Sequence, residues 1–192
     1  MIAMRSLVAA SLAVGLLSVG CKESTPTPGA SPSSSAPAAS SSPTAEAAPP
    51  KEGDPAPALV ATAADGTKVD LAALKGKHVV VYFYPKDDTP GCTKEACAFR
   101  DAWDKLQKAG IQVIGVSVDD DASHKAFAAK YKLPFPLVAD TDQAICKRFG
   151  VAVNGGYASR VSYLIGTDGK IKKVYPKVDP AVHADQILTD AQ

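Results

Sequence analysis

Two apolar runs, the first of them uninterrupted, predict the centre of the fold. The first spans Val79 to Tyr84 and ends at Pro85, and the second spans Ile111 to Val118. Short runs without alternating polar positions are typical of strands that are buried on both faces. Between them, apolar residues recur at helical spacing and predict a helix that ends near Gly110; they are Cys92, Ala96, Phe99, Trp103 and Leu106. Strand, helix and strand in this order predict a βαβ unit with parallel strands.

The chain after this unit predicts three shorter elements. An amphipathic stretch around Phe127 and Tyr131 stops before Pro134, which predicts a second helix. The range Phe135 to Ala139 predicts a short strand, and Thr141 to Phe149 predicts a short helix before a glycine. These elements extend the βαβ unit by two helices and one strand.

The last third of the chain predicts a β-hairpin and a terminal helix. Arg160 to Ile165 and Lys170 to Tyr175 flank Gly166-Thr167-Asp168-Gly169, which is a turn signal between two strands. A final helix is expected to start near Asp179 and Pro180, because proline fits the first helical position. A βαβ unit, a helix, a hairpin and a terminal helix follow the order of the thioredoxin fold. We therefore predict an α/β, thioredoxin-like fold with a central mixed sheet flanked by helices.

The N-terminus has the pattern of an export signal. One positive charge at Arg5 precedes an apolar run from Leu7 to Gly20. This run is shorter than the about 20 residues of a transmembrane helix and fits the about 7 to 15 of a secretory signal. Cys21 follows directly and resembles the lipidated cysteine of bacterial lipoproteins, although Ser18 stands where leucine is usual. We predict a signal peptide at 1–20 and lipidation of Cys21; the alternative is an ordinary signal peptide followed by a chance cysteine.

Residues 22–50 predict a disordered tether. They consist of eight Ser, seven Pro, seven Ala, three Thr, two Glu, one Lys and one Gly, so they contain no large apolar side chain to bury. In an extended polyproline geometry the tether reaches at most about 90 Å. The predicted organisation is a signal peptide at 1–20, a lipidated cysteine and linker at 21–50, and one folded domain at 51–192. We expect an exported lipoprotein, anchored in a membrane through Cys21 and facing the periplasm or the cell exterior.

Composition excludes several classes of function. The 192 residues carry 21 basic and 20 acidic side chains, so no basic excess indicates a nucleic-acid partner. Four cysteines are too few for a disulfide-stapled scaffold. No phosphate-binding loop, zinc-protease motif or dinucleotide fingerprint occurs, so we predict no cofactor and no metal.

The candidate chemistry lies at the start of the first predicted helix. Cys92 falls in its first turn, where unpaired backbone N–H groups favour an anion such as a thiolate. A helix end alone is a weak stabiliser, so a nearby cation is also needed. The three histidines, His78, His124 and His183, are all distant from Cys92 in sequence.

These residues resemble the active-site loop of the peroxiredoxin family. The family pattern of Pro, three residues, Thr or Ser, two residues and Cys is matched by Pro85, Thr89 and Cys92. The loop resembles in particular the Q-type branch, also called bacterioferritin-comigratory protein, and the string Thr-Pro-Gly-Cys-Thr-Lys-Glu-Ala-Cys is highly specific. The family also has an arginine just before a late strand, and Arg160 matches it. The likeness covers about residues 52–190.

The resemblance implies a thiol peroxidase that reduces hydrogen peroxide and organic hydroperoxides. Cys92 would become a sulfenic acid, while the guanidinium of Arg160 would hold the thiolate and orient the peroxide. Thr89 would hydrogen-bond the peroxide, and Pro85 would shield the pocket. The N–H groups around Gly91 and Cys92 would face the peroxide oxygens and stabilise the charge that grows as the O–O bond breaks.

Cys97 lies five residues after Cys92 on the same predicted helix. This spacing places the two Cα atoms roughly 8 to 9 Å apart, beyond the about 4.4 to 6.8 Å of a disulfide. We hypothesise that Cys97 resolves the sulfenic acid as an intrachain disulfide after the first helical turns unwind; the alternative is a core filler. A thioredoxin-like or other dithiol reductant would then restore both thiols. Cys146 is interpreted as a buried small hydrophobe, with resolution by Cys146 as the alternative.

A second class of function is a membrane-tethered, thioredoxin-fold copper-binding protein or metallochaperone. Such lipoproteins also pair two cysteines at the first helix, but with a shorter spacing and a distant histidine ligand. A cation at Arg160 would repel a metal ion, which favours the peroxidase. The run Asp119-Asp120-Asp121 is interpreted as a helix cap rather than a metal site. From the habit of the family we expect a monomer.

Overall fold

The computed structural model describes residues 48–192, which contain nine strands and five helices. The strands are β1 (Val60–Thr62), β2 (Lys68–Asp70), β3 (His78–Phe83), β4 (Ile111–Ser117), β5 (Leu137–Ala139), β6 (Val153–Asn154), β7 (Tyr157–Ala158), β8 (Val161–Ile165) and β9 (Ile171–Tyr175). The helices are α1 (Pro90–Asp101), α2 (Trp103–Lys108), α3 (Asp121–Tyr131), α4 (Ala144–Arg148) and α5 (His183–Asp190), and a 3-10 turn covers Leu71–Leu74.

Five of these strands form the central sheet, in the order β5-β4-β3-β8-β9. Strands β3, β4 and β5 are parallel, whereas β8 pairs antiparallel with both β3 and β9. The parallel pair β3 and β4 is joined through α1 and α2, as a parallel connection requires. The sheet is therefore mixed, and the predicted thioredoxin-like α/β fold is confirmed.

The central strand β3 is buried on both faces, as its continuous apolar run predicts. Val80 and Tyr82 point into a core covered by α1, α2, α3 and α5, and Val79 and Val81 point into a second core on the opposite face. The second core is covered by α4 and by the β1–β2 hairpin. Because helices close both faces, the carboxyl end of β3 is where the chain emerges and a site can form.

The predicted first helix is divided in two at Ala102. The backbone angles of Ala102, φ −87° and ψ 0°, lie outside the α-helical range. Its N–H still donates to the carbonyl of Ala98 at 3.0 Å, and the N–H of Leu106 donates to its carbonyl at 3.0 Å. The i to i−4 hydrogen bonds thus continue through the bend. The apolar residues of α2 pack into the same core as those of α1.

Other differences concern short elements. The β1–β2 and β6–β7 hairpins were not predicted, because strands of two or three residues are too short to show an alternating pattern. The last helix begins at His183 rather than near Pro180. Asp179 instead starts a turn, in which its carboxylate accepts from the N–H of Ala181 at 2.9 Å.

The predicted signal peptide at 1–20, lipidated Cys21 and nearly all of the linker at 21–50 lie outside the described residues. Among residues 48–192, no helix combines the length and the apolar character that crossing a bilayer demands.

Candidate active site

Cys92 is positioned by the turn that joins β3 to α1. The strand ends at Phe83, and the loop that follows leads to Pro90 in the first position of α1, where its missing N–H costs nothing. Cys92 is the third residue of the helix and is 2% exposed. The first N–H groups of a helix have no partner within it, so the sulfur lies beside donors that favour an anion.

Arg160 supplies the cation that the sequence requires. Its Nη2 donates to Sγ of Cys92 at 3.1 Å, although 68 residues separate the two. The register explains this contact: Phe83, at the end of β3, pairs with Val161, at the start of β8. Arg160 therefore stands beside the end of β3, where the loop to Cys92 begins.

Gly91 leaves room for this arginine. A Cβ atom at position 91 would lie 3.2 Å from Nη2 of Arg160, which is tighter than ordinary packing. A side chain here would force the guanidinium to shift by a few tenths of an ångström. The close approach of Arg160 thus favours glycine at position 91.

Thr89 and Pro85 lie in the loop between β3 and α1, the loop that leads to Cys92. The hydroxyl of Thr89 donates to the carbonyl oxygen of Lys86 at 3.0 Å, which fixes its orientation and leaves its lone pairs free to accept a hydrogen bond. Pro85 is half-buried directly after β3. The structure thus brings together at one end of the sheet all the predicted peroxide-site residues: Pro85, Thr89, Gly91, Cys92 and Arg160.

Cys97 lies on the same helix but apart from Cys92. Both thiols are free, and α1 is continuous from one to the other. By helix geometry their Cα atoms are roughly 8 to 9 Å apart, beyond the reach of a disulfide. Cys97 is half-buried and lines a groove of about 440 Å³ together with Lys94, Ala184 and Asp185.

Cys146 belongs to the opposite core. It is fully buried with Phe149 and Ile145, across the sheet from Cys92. Burial and the carboxylate of Asp140 raise the pKa of its thiol far above the usual range. This environment favours the interpretation as a small hydrophobe over a role in resolution.

Glu95 is a member of the site that the sequence analysis did not assign. Its carboxylate is fully buried and accepts from Nη1 of Arg160, so one guanidinium bridges Glu95 and Cys92. Burial raises the pKa of Glu95 to about 7, although the charge and hydrogen bond of Arg160 oppose this shift. The signal available in the sequence is its spacing, since a residue three after Cys92 shares its helix face.

Two of the three aspartates after β4 make structural hydrogen bonds. The carboxylate of Asp120 accepts from the N–H of Ser123 at 2.8 Å and caps α3, so the predicted helix cap is confirmed. Asp119 accepts from the hydroxyl of Ser117 at 2.8 Å. Within residues 48–192, no group of three or more His, Cys, Asp or Glu side chains is placed to hold a metal ion.

Comparison with known proteins identifies the family. The sequence model of the AhpC/TSA family matches residues 52–174. A Coxiella burnetii protein named as a bcp peroxiredoxin is 43% identical over 143 residues, which cover 71% of this chain and 95% of that protein. The chloroplastic peroxiredoxin Q of Suaeda salsa is 47% identical over 140 residues, which cover 71% of this chain and 65% of that protein.

Solved structures agree with the sequence comparisons. Peroxidoxin BcpB from Mycobacterium tuberculosis superposes with a TM-score of 0.68 at 31% identity, covering 74% of this chain and 96% of that one. Peroxiredoxin Q from Xanthomonas campestris gives a TM-score of 0.64 at 38% identity, covering 68% of this chain and 87% of that one. With the buried cysteine and its arginine partner in place, these similarities show that the chain belongs to the peroxiredoxin family, in the branch of peroxiredoxin Q and the bacterioferritin-comigratory proteins.

Proposed function

We propose that Cys92 is the residue that reduces peroxide in this protein, with Arg160, Thr89, Pro85 and Gly91 forming the peroxide site. As a member of the peroxiredoxin family, the chain is a thiol-dependent peroxidase. The observation that carries the assignment to Cys92 is the 3.1 Å contact of its sulfur with Nη2 of Arg160 at a buried helix N-terminus. Two sources of positive potential there favour the nucleophilic thiolate.

The first step oxidises the sulfur by two electrons. The thiolate of Cys92 attacks the terminal oxygen of a hydroperoxide, the S–O bond forms and the O–O bond breaks. The leaving oxygen takes up a proton and departs as water or an alcohol, and Cys92 is left as a sulfenic acid.

The site is arranged to stabilise the charge that moves in this step. Arg160 retains donors beyond those on Cys92 and Glu95, and it is always charged. Thr89 can accept the O–H of the peroxide because its own proton is held by Lys86. Donors fixed before the reaction need no reorganisation as negative charge develops on the oxygens.

Cys97 completes the cycle in this proposal. Its thiol attacks the sulfur of the sulfenic acid, the intrachain disulfide forms, and the hydroxyl leaves as water after taking up a proton. Because α1 holds the two cysteines apart, its first turns unwind before this bond closes. A thioredoxin-like or other dithiol reductant then reduces the disulfide and is itself oxidised.

Two cysteine variants test the proposal. Cys92→Ser should abolish peroxide consumption, whereas Cys146→Ser, the matched control in the core, should retain it. After one equivalent of peroxide, mass spectrometry without reductant should find a Cys92–Cys97 linkage in the wild type and a sulfenic acid in Cys97→Ser. Undiminished turnover in Cys92→Ser would refute the assignment, and a free Cys97 thiol beside a persistent sulfenic acid would refute its resolving role.

A copper-binding function is not supported. The guanidinium of Arg160 stands against the sulfur of Cys92, where it would repel a metal ion. The similarities to peroxiredoxins likewise favour peroxide reduction.

We further propose that the chain is an exported lipoprotein. Its folded domain, residues 51–192, would be anchored to a membrane by a lipid on Cys21. The support is the charged start, the short apolar run, the cysteine that follows and a Ser/Pro/Ala-rich spacer. Membrane fractions of the producing cells should contain the protein with a diacylglyceryl group on Cys21, and Cys21→Ser should release it. A wild-type protein found in the soluble fraction with an unmodified N-terminus would overturn this localisation.

A further inference from the structure

The loop that carries the peroxide-site residues, residues 85–89, is fastened to helix α3 by two consecutive acids. Asp87 reaches the first turn of α3 and Asp88 reaches its last turn. Neither acid touches Cys92 or Arg160 in the hydrogen-bond pattern of residues 48–192, so the chemistry proposed above leaves both without a role.

Asp87 is the buried member of the pair. Its Oδ1 accepts from the hydroxyl of Tyr84 at 2.8 Å, and its Oδ2 accepts from the hydroxyl of Ser123 at 2.7 Å. Nδ1 of His124 lies 2.7 Å from the same oxygen and donates to it, since a carboxylate only accepts. The side chain of His124 is itself fully buried, and its other ring nitrogen has no partner within residues 48–192.

The backbone of Asp87 is held as well. Its N–H donates to Oδ2 of Asp119 at 2.8 Å, and Asp119 also accepts from Ser117 at the end of β4. Burial acts to raise the pKa of Asp87, but His124, Ser123 and Tyr84 outweigh it, and the pKa lies below its usual value. Asp87 is thus a charged residue whose hydrogen bonds connect the segments that follow β3 and β4 to the first turn of α3.

Asp88 forms an exposed second fastening. It adopts a left-handed conformation with φ 55°, which is unfavourable for a residue with a side chain. Its carboxylate accepts from Nζ of Lys130 at 2.6 Å and from the hydroxyl of Tyr131 at 2.6 Å. These contacts hold the turn that leads directly into Thr89.

We propose that Asp87 is a positioning residue for peroxide reduction: it clamps the loop onto α3 and β4, which keeps Thr89 and the start of α1 aligned with Arg160. The clamp lies before α1 in the chain, so unwinding of the first helical turns leaves it intact. The inference rests on the proposed function, because it assigns Asp87 to the peroxide step and not to the disulfide step.

Loss of the clamp should therefore affect the rate of peroxide reduction and not the rate of disulfide formation. Loosening the loop misplaces Thr89 and the helix N-terminus relative to the peroxide, and errors of about 1 Å cost on the order of a hundredfold in rate. Resolution by Cys97 requires the helix to open and gains nothing from the clamp. Asp87→Asn should slow the first step and leave the second nearly unchanged.

Stopped-flow fluorescence of Trp103, the single tryptophan of the chain, offers a direct readout. In a Cys97→Ser background the signal follows sulfenic acid formation alone, and with Cys97 present a second phase follows disulfide formation. The matched control is Asp70→Ala, which removes the cap of the 3-10 turn Leu71–Leu74 on the opposite face of the sheet and touches neither the loop nor α3. Melting temperatures of all variants show how far each one is destabilised.

The expected result is a fall of at least about tenfold in the second-order rate constant of Asp87→Asn with hydrogen peroxide, with the second phase unchanged. Asp70→Ala should lower the melting temperature yet keep both rates. An unchanged first step in Asp87→Asn would overturn the proposal, and so would an equal loss in Asp70→Ala, because either result reduces Asp87 to a purely structural contact. Failure of the proposed function is separate: it would appear as undiminished turnover in Cys92→Ser.

Discussion

At the scale of single residues, the site depends on one guanidinium shared by two acids. Arg160 donates to the sulfur of Cys92 and to the carboxylate of Glu95, both of which are buried. A buried carboxylate loses its hydration, and for Glu95 this loss exceeds the help that Arg160 provides. Glu95 thus changes charge near neutral pH, beside the reactive sulfur.

Glu95→Gln should remove a pH dependence of stability. In the unfolded chain Glu95 loses its proton at the usual pKa of 4.5, whereas in the folded chain it holds it until about 7. As the pH rises between these values, the folded state retains a proton that the unfolded state has lost, so the fold becomes relatively less stable. The difference amounts to at most about 3 kcal/mol.

Urea unfolding at pH 4.5, 6, 7 and 8 measures this effect. The free energy of unfolding of wild type relative to Glu95→Gln should fall up to pH 7 and level off above it. Parallel pH profiles of the two proteins would contradict the assignment.

At the scale of elements, α1 has two conflicting tasks. Its folded N-terminus holds Cys92 against Arg160, yet the proposed disulfide with Cys97 needs the same turns to open. Helical propensity between the two cysteines should therefore set the rate of resolution. Lys94 lies between them and is exposed, so it can be changed without disturbing the core.

Lys94→Gly should accelerate disulfide formation. Glycine is about 1 kcal/mol less favourable than alanine inside a helix, so the unwound state should become about fivefold more populated than in the matched control Lys94→Ala. Rapid quench with a thiol-alkylating reagent and mass spectrometry would follow the linkage in both variants. Equal rates of disulfide formation would show that unwinding of α1 does not limit this step.

At the scale of the whole molecule, the described residues bury nearly all their large hydrophobic side chains. A hydrophobic core lies on each face of the sheet. The exposed large hydrophobic side chains of residues 48–192 are Val60 on β1, Tyr157 on β7 and Val182 just before α5. Scattered single exposures of this kind do not form an association surface. This distribution favours the predicted monomer, which remains a prediction.

A chain that begins at Ala48 should therefore fold and work alone. We expect its peroxidase kcat/KM and melting temperature to match those of the full chain with its first 20 residues removed, because the deleted segment has no large apolar side chain to contribute to a core. Light scattering should give the mass of one chain for both. A stable dimer, or a truncated chain that melts far earlier, would contradict the predicted organisation.

The local patterns of the sequence were sufficient for much of this protein. The continuous run of β3, the helical spacing from Cys92 to Leu106 and the turn before β9 each predict an element from neighbouring residues alone. The active-site string identified Cys92 and its family for the same reason. The short β6–β7 hairpin and the bend at Ala102 carry too few residues to form a pattern.

Tertiary structure decided which distant groups meet. The contact of Arg160 with Cys92 follows from the pairing of Phe83 with Val161, and the sequence supported it only through a family resemblance. The role of Glu95 as a buried partner of Arg160, and that of Asp87 as a clamp on α3, depend on burial and long-range packing. Periodicity is a property of adjacent residues, whereas the electrostatics of a site depends on which side chains the folded sheet brings within a few ångströms.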